Sequence, residues 1–391
     1  MTPHELRAWL RLSLTDGVGN DAARRLLACF GSPQAIFAQT EAALLQVVTP
    51  KQAQALLLTP PELAVQCVRT EHWLSHTAAH EGHAVWTLGD RHYPEVLLQL
   101  PDPPLMLYVQ GQLDHTLGHA VAVVGSRNPT PQGAQTAEEF GEALSAAGLC
   151  VVSGLALGVD GAAHRGALRG AQAAVSDANA VQAPSWRTVA VVGTGLDRVY
   201  PRQHQGLASD IAKQGVLVSE YPLGTPPLAA NFPKRNRLIA ALGSGTLVVE
   251  AALQSGSLIT ARLALDLGRE VLAIPGSIHS PQSHGCHALI RQGAKLVETA
   301  QDVLEELQLL PPQQSQRWTD TPGPANGNPV SKDDAQDALL AHMGYAPVSL
   351  DALQARCGLD TASLQAQLFT MELNAQVARL PGGLFQRLGG R

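Results

Sequence analysis

Charge is scarce in this chain. Of its 391 residues only 15% are Asp, Glu, Lys or Arg, and the formal net charge is −6. The bulk electrostatics therefore provide no general attraction for a polyanion, and any nucleic-acid contact has to come from a local basic patch. The five cysteines, Cys29, Cys67, Cys150, Cys286 and Cys357, are scattered without a Cys-x-x-Cys spacing. That pattern excludes a disulfide framework and a cysteine-ligated zinc site as first readings, and fits reduced thiols in a cytoplasmic protein. No run of about 18 or more apolar residues occurs, and the N-terminus lacks a basic region followed by an apolar stretch, so no membrane span and no signal peptide are expected. Two nucleotide signatures are also missing. The first strand-to-helix turn does not carry Gly-x-Gly-x-x-Gly with an acid about 20 residues on, and no P-loop glycines precede a Lys-Ser/Thr pair.

What is abundant is Gly, Ala, Leu and Val, the composition of α/β proteins with buried parallel strands. At about 150 residues per domain, the length suggests two or three domains. Residues 1–80 read as a helical domain, with apolar positions at three- and four-residue spacing through Leu10 to Leu14, Leu26 and Leu27, Ile36, and Leu44 to Val48. Within it, Leu14-Thr-Asp-Gly17-Val-Gly19-Asn-Asp-Ala-Ala-Arg24-Arg25 has the outline of a helix-hairpin-helix, or of a SAM-like turn, although a plain interhelix turn is the better reading of so short a pattern. His72, His76 and His80 fall on one helix face, with His83 beyond. A solvated polar face is the better reading than a metal comb, since no Cys or carboxylate cluster accompanies them, and no metal or other cofactor is expected.

Residues 81–118 read as a connecting segment. From there to about 310, short β-branched runs alternate with helical stretches: Ala120 to Val124, Leu149 to Ser153, Thr188 to Val192, Val216 to Ser219, Leu247 to Val249 and Val271 to Ile274. This alternation implies a Rossmann-like, doubly wound parallel sheet over 119–310. The small, polar stretch 170–185 is expected to be a surface insertion. Residues 311–333, rich in Pro, Gly, Asn and Gln, read as a linker. Helical patterns at Asp334 to His342, Leu350 to Cys357 and Thr361 to Asn374, then a ribbon around Gly382-Gly383, outline a C-terminal winged helix over 334–391. Its recognition helix has no Lys or Arg and one acid, Glu372, so protein contact is at least as good a reading as DNA contact.

Three glycine turns follow strands, where helix N-termini favour anions. They are Gly125-Ser126-Arg127, the run from Gly154 through Gly158 and Asp160 to His164, and Gly193-Thr194-Gly195. They read either as a phosphate cradle with Arg127 as its cation, or as glycines that only permit tight turns. The strongest patch is Phe232-Pro-Lys234-Arg235-Asn236-Arg237 at a helix start, whose cations can neutralise phosphates while Phe232 offers a stacking face. One of these arginines could instead pair internally with Glu250 or Asp160.

In order along the chain stand Gly-Ser-Arg; Ser153-Gly154-x-Ala156-x-Gly158-x-Asp160-x-x-Ala163-His164; Gly193-x-Gly195-x-Asp197-x-x-Tyr200-Pro201; Ser219-Glu220-Tyr221-Pro222; Phe232-Pro-x-Arg235-Asn236-Arg237; and Glu250-Ala-x-x-x-Ser255-Gly256-Ser257-Leu-Ile-Thr260-Ala261. Together they resemble the DNA-processing protein A (Smf) family across the whole α/β domain, and the flanking helical and winged-helix regions resemble its long members. The resemblance implies a non-enzymatic homodimer that binds incoming single-stranded DNA in natural transformation and loads the RecA recombinase on it. By matching motifs, it implies strand contacts at Gly125, Ser126, Arg127, Gly154, Gly158, Phe232, Lys234, Arg235, Asn236 and Arg237, with Asp160, His164 and Glu250 ordering the pocket. Gly285-Cys286-His287 departs from the Gly-Thr-Asn that many members carry.

Two other functions compete. Gly243-Ser-Gly245-Thr246-Leu-Val-Val-Glu250 resembles the phosphate loop and catalytic Glu of nucleoside-monophosphate phosphoribohydrolases, but without the Pro-Gly-Gly opening. A sequence-specific regulator would act through the winged helix, which its uncharged recognition helix disfavours.

Overall fold

A computed structural model describes residues 1–76, 81–176, 185–309, 339–340, 342–344, 347–374, 376–380 and 382–388, and of 171–176 the backbone alone. The expected linker, half of the expected insertion (177–184), His80 and most of the helix expected at Asp334 to His342 lie outside the described residues; the insertion's first residues, 170–176, continue the helix Val159–Ser176.

The N-terminal region is helical: α1 (Pro3–Leu14), α2 (Asn20–Phe30), α3 (Pro33–Phe37), α4 (Glu41–Leu44), α5 (Pro50–Leu57) and α6 (Leu63–Ser75). Three of these start in the same way. Thr2-Pro3, Ser32-Pro33 and Thr49-Pro50 each place a hydroxyl at the N-cap, where it accepts an orphan amide, and a proline at the first helical position, where no amide is needed.

The sheet has nine strands: β1 (Gly82–Thr87), β2 (Met106–Gly111), β3 (Ala120–Val124), β4 (Cys150–Ser153), β5 (Thr188–Val191), β6 (Val216–Ser219), β7 (Gly245–Val248), β8 (Glu270–Ala273) and β9 (Lys295–Leu296), in the order β1-β2-β6-β5-β4-β3-β7-β8-β9. From β6 across to β9 every pairing is parallel, as the strand and helix alternation implied. β2 runs antiparallel to both β1 and β6, so the segment read as a connection adds two strands to the sheet edge.

Side chains alternate across the sheet as a strand's period of two requires. Val121 and Val123 join the cluster beneath α7 (Pro131–Ala146) and α8 (Val159–Ser176). Ala120, Ala122 and Val124 join the one beneath α10 (Asn231–Leu242), α11 (Ser257–Asp266) and α12 (His284–Arg291). On the α8 side the sheet edge is covered by α9 (Gln205–Gln214) and the N-terminal helices, and α13 (Ala300–Glu306) packs at the other edge. The chain lays down β3 to β6 in one direction and then crosses to β7, β8 and β9 on the other side of β3. The C-terminal ends of β3 and β7 therefore form the switch point, where diverging turns leave a crevice.

The C-terminal unit has strand β10 (Val348–Ser349), helices α14 (Leu350–Cys357) and α15 (Thr361–Leu373), and the ribbon β11 (Val377–Leu380) and β12 (Leu384–Arg387). Its three strands lie in the order β10-β12-β11. A separate apolar cluster, including Leu353, Leu364, Leu368 and Phe385, holds it together.

Candidate nucleic-acid interface

The Gly125-Ser126-Arg127 turn leaves β3 and is fixed from two sides. Ser126 N donates to Glu250 O at 2.7 Å, and Ser126 O accepts from Val159 N at 3.1 Å. The Glu250 carboxylate accepts from Thr130 N at 2.9 Å and from Thr130 Oγ1 at 2.7 Å. Thr130 is in turn the N-cap of α7. Burial pushes the Glu250 carboxyl above its ordinary range, against the pull of the Thr130 hydrogen bonds. Glu250 therefore orders the loop that presents Arg127, a structural task at a helix N-terminus.

The second turn is shaped by contact rather than by open amides. Gly158 has φ +81°, and a Cβ there would lie 2.4 Å from Ser126 O. Gly154 lies flat against the Arg235 guanidinium, so that a Cβ would overlap it. The amides of Gly154 and Ala156 donate to Asp160 Oδ2 at 3.2 and 3.4 Å. Gly154 and Gly158 thus seat the two loops on each other, the tight-turn reading, and the Gly154 amide is turned inward.

The Lys-Arg-Asn-Arg cluster divides by helix face. Arg235 shares its side of α10 with Leu238 and Ile239 and is only 3% exposed. It donates through Nη1 to Val191 O, at the end of β5. Burial pushes it down to about 10, with the Asp160 charge resisting, and burial pushes Asp160 up, with Arg235 resisting. Arg237 is paired with Glu220 and donates to Asp102 O. The expectation that both arginines lie along a DNA strand is therefore corrected. Helical geometry turns Arg235 inward, where it bonds Val191 O and feels the Asp160 charge, while Arg237 is taken up by Glu220; neither pairs with Glu250. Lys234 is exposed, but it lines a neighbouring cleft with Asn20 and Tyr221, away from Arg127. Asn236 is half-buried and lines the crevice.

His164 is fully buried. Its Nδ1 lies 2.7 Å from Thr188 Oγ1, whose own proton goes to Val151 O, so Nδ1 carries the imidazole proton and Nε2 is left without a partner. Burial pushes it down to about 3. His164 is thus a neutral interior group below the turns.

What remains at the switch point is a crevice of about 530 Å³ lined by Arg127, Asp160, Phe232, Asn236, Ser255 and Ser257, among others. Arg127 is exposed, and among the described residues it forms no ion pair. Its guanidinium stands 5.4 Å from the centroid of the Phe232 ring. A fixed cation over an aromatic face suits a phosphate and an adjoining planar base. Ser255 and Ser257, at the start of α11, and Gln282, which donates to Asn128 O at 3.3 Å, complete the wall and were not among the expected site residues. Exposed Arg198, Tyr200 and Arg202 stand after the β5 turn and were also missed. Two cations around an aromatic within five residues was the signal available for them.

The phosphoribohydrolase resemblance finds no matching geometry. Its glycines open β7 at the N-terminal end, a strand's length of roughly 13 Å from Glu250. Among the described residues, no group of three or more His, Cys, Asp or Glu could hold a metal ion, and no helix is long and apolar enough to cross a membrane.

The family model for DNA recombination-mediator protein A matches residues 84–308. The chain belongs to the DNA recombination-mediator protein A family. The model for the DprA winged helix domain matches residues 323–383, in agreement with the C-terminal unit. Among relatives, this family member is 38% identical over 382 residues to Protein Smf of Escherichia coli (strain K12), covering 96% of this chain and 94% of that one. It is 44% identical over 223 residues to DNA processing protein DprA of Streptococcus pneumoniae (strain ATCC BAA-255 / R6), covering 57% and 74%. The X-ray structure of DNA processing protein A from Streptococcus pneumoniae aligns with a TM-score of 0.62 at 34% identity, covering 78% of this chain and 98% of that one. The recombination-mediator fold is thus shared beyond sequence motifs.

Proposed function

We propose that this chain is a non-enzymatic, cytoplasmic, homodimeric protein that binds single-stranded DNA across the switch-point crevice and delivers it to the RecA recombinase during natural transformation. The observation that carries the reading is Arg127, an exposed cation without an acidic partner among the described residues, over the Phe232 ring in a chain whose net charge is −6. Arg202, and Arg198 beside its ion-pair partner Asp197 at 3.7 Å, add exposed cations on the β5 side. An unpaired strand supplies what such a surface uses: phosphates for the cations and free base faces for the ring. A duplex hides those faces.

The test is fluorescence-anisotropy binding of a labelled single strand and of the matching duplex over a salt series. The single strand is expected to bind more tightly, with affinity falling steeply in salt. Arg127→Ala is expected to weaken binding about tenfold and to lower the slope of log affinity against log salt by about one, with little change in melting temperature. Arg235→Ala is expected to lower the melting temperature instead, because it removes a buried hydrogen-bonded charge and leaves Asp160 without its neighbour. Unchanged affinity in the combined Arg127→Ala, Lys234→Ala variant would remove the proposed site.

A further inference from the structure

Tyr200 is an aromatic side chain without an internal task. It is 47% exposed, and among the described residues its hydroxyl has no hydrogen-bond partner. Its ring lies 5.6 Å from that of Phe232, tilted by 39°. Arg127 stands 5.4 Å from the same Phe232 ring. The three side chains come from three elements: the turn after β3, the turn after β5 and the start of α10.

The platform is firmly seated. Asn231 Nδ2 donates to Gly193 O at 3.0 Å, tying α10 to the β5 turn. A Cβ at Gly193 would lie 3.3 Å from Phe232 Cδ1, so the Phe232 ring rests directly on that turn. A ring held in this way loses little freedom when a planar ligand covers it, and Tyr200 stands against that ring, which is the condition under which stacking contributes to affinity.

From this arrangement we infer that Tyr200 is a base-stacking residue, carrying the nucleobase next to the one on Phe232, so that the bound strand leaves the crevice toward β5 as at least two unpaired, consecutive nucleotides. The inference rests on the single-strand reading above and adds a second base subsite and a direction to it. A neutral ring makes no demand on sequence, since every base has a face to stack, but it does require the base to be unpaired. Tyr200 therefore contributes to the preference for a single strand over a duplex, while Arg127 acts on phosphates in either.

The experiment couples residue and base in one cycle, using the full chain. Wild type, Tyr200→Ala, Tyr200→Leu and Tyr200→Phe are titrated with a labelled oligothymidylate and with an abasic strand of the same length. Tyr200→Ala is expected to weaken the oligothymidylate roughly five- to a hundred-fold and to leave the abasic strand unchanged. Tyr200→Phe is expected to stay close to wild type on both, and the salt slope to be the same throughout, because no charge is removed. Tyr200→Leu, which keeps bulk against Phe232, is expected to behave like the alanine variant and so separates stacking from support of the fold. Equal loss on both strands, or no loss on the thymidylate while wild type binds it, overturns the inference and leaves the reading beneath it standing. Failure of the wild type to bind the oligothymidylate overturns both.

Discussion

Arg127 and Arg235 carry the same guanidinium into opposite surroundings, one exposed over Phe232 and the other 3% exposed against Val191 O. In the sequence, the cluster from Lys234 to Arg237 reads as one basic patch because a short window does not separate helix faces. Each residue turns the helix by about 100°, so Arg235 falls in line with Leu238 and Ile239, while Arg237, about 200° further round, is taken up by Glu220 and only Lys234 of the four is exposed. The Gly-Ser-Arg turn was legible because a glycine after a buried strand has a fixed place in this fold, whereas the interior task of His164 needed the Thr188 hydroxyl, 24 residues away, to be seen. His164 also sets a pH dependence. Its folded-state value of about 3 lies below the ordinary 6.5, so the unfolded chain takes up the proton first. Its contribution to stability is whole above about pH 6.5 and is lost progressively as pH falls toward 3. Asp160, Glu220 and Glu250, whose carboxyls are raised by burial, act with the opposite sign, their contribution declining as pH rises through the raised range. Urea unfolding at pH 6, 5.3 and 4.5 is therefore expected to show wild type losing stability more steeply than His164→Asn, by up to about 1.4 kcal/mol per pH unit for one proton. Parallel curves would mean that the imidazole is not held neutral.

Strands β3 to β8 were readable because each is a short apolar run bounded by turn residues. β1 and β2 were not, since β1 opens on Gly82-His83 and β2 follows the prolines of 101–104, a context that reads as loop. Glycines carry the opposite lesson: sequence shows where they are but not what presses on them. At Gly158, φ of +81° and a carbonyl oxygen 2.4 Å from any added Cβ both oppose a side chain. Gly158→Ala is therefore expected to cost at least about 1–2 kcal/mol from the backbone alone, more from the displaced Ser126 carbonyl, and to weaken oligonucleotide binding by shifting the Arg127 turn. Gly206→Ala, in the first turn of α9 where a Cβ meets nothing within 4 Å, is expected to hold or gain stability. Thermal melts and anisotropy on the two variants check this. Equal behaviour would show that the loop contact between Gly158 and Ser126 is dispensable.

At the scale of the molecule, the N-terminal helices and the sheet share one core. Leu6, Leu10, Leu63 and Trp73 lie in the same buried cluster as Val85, Met106, Tyr108 and Leu217. Polar ties cross the same boundary: Arg24 donates to Pro101 O at 2.8 Å and Arg69 to Leu223 O at 3.0 Å. Periodicity ends a helical region near residue 80 but does not show that its apolar face is completed by strands beyond it. The winged helix, by contrast, has its own cluster. It follows that residues 1–309 unfold as one unit: calorimetry is expected to give a single transition with matching calorimetric and van't Hoff enthalpies. A chain of 81–309 is expected to aggregate or to melt far lower, because Val85, Met106, Tyr108 and Leu217 lose their cover and an apolar patch faces water. Removing everything after residue 309 is expected to leave the melting temperature of the remainder and its single-strand affinity within a few-fold of the full chain, since Arg127, Phe232 and Tyr200 all lie before it. If 81–309 melted like the longer chain, the shared cluster would be a contact between two independent folds; if loss of the winged helix abolished strand binding, the crevice would not be the principal site.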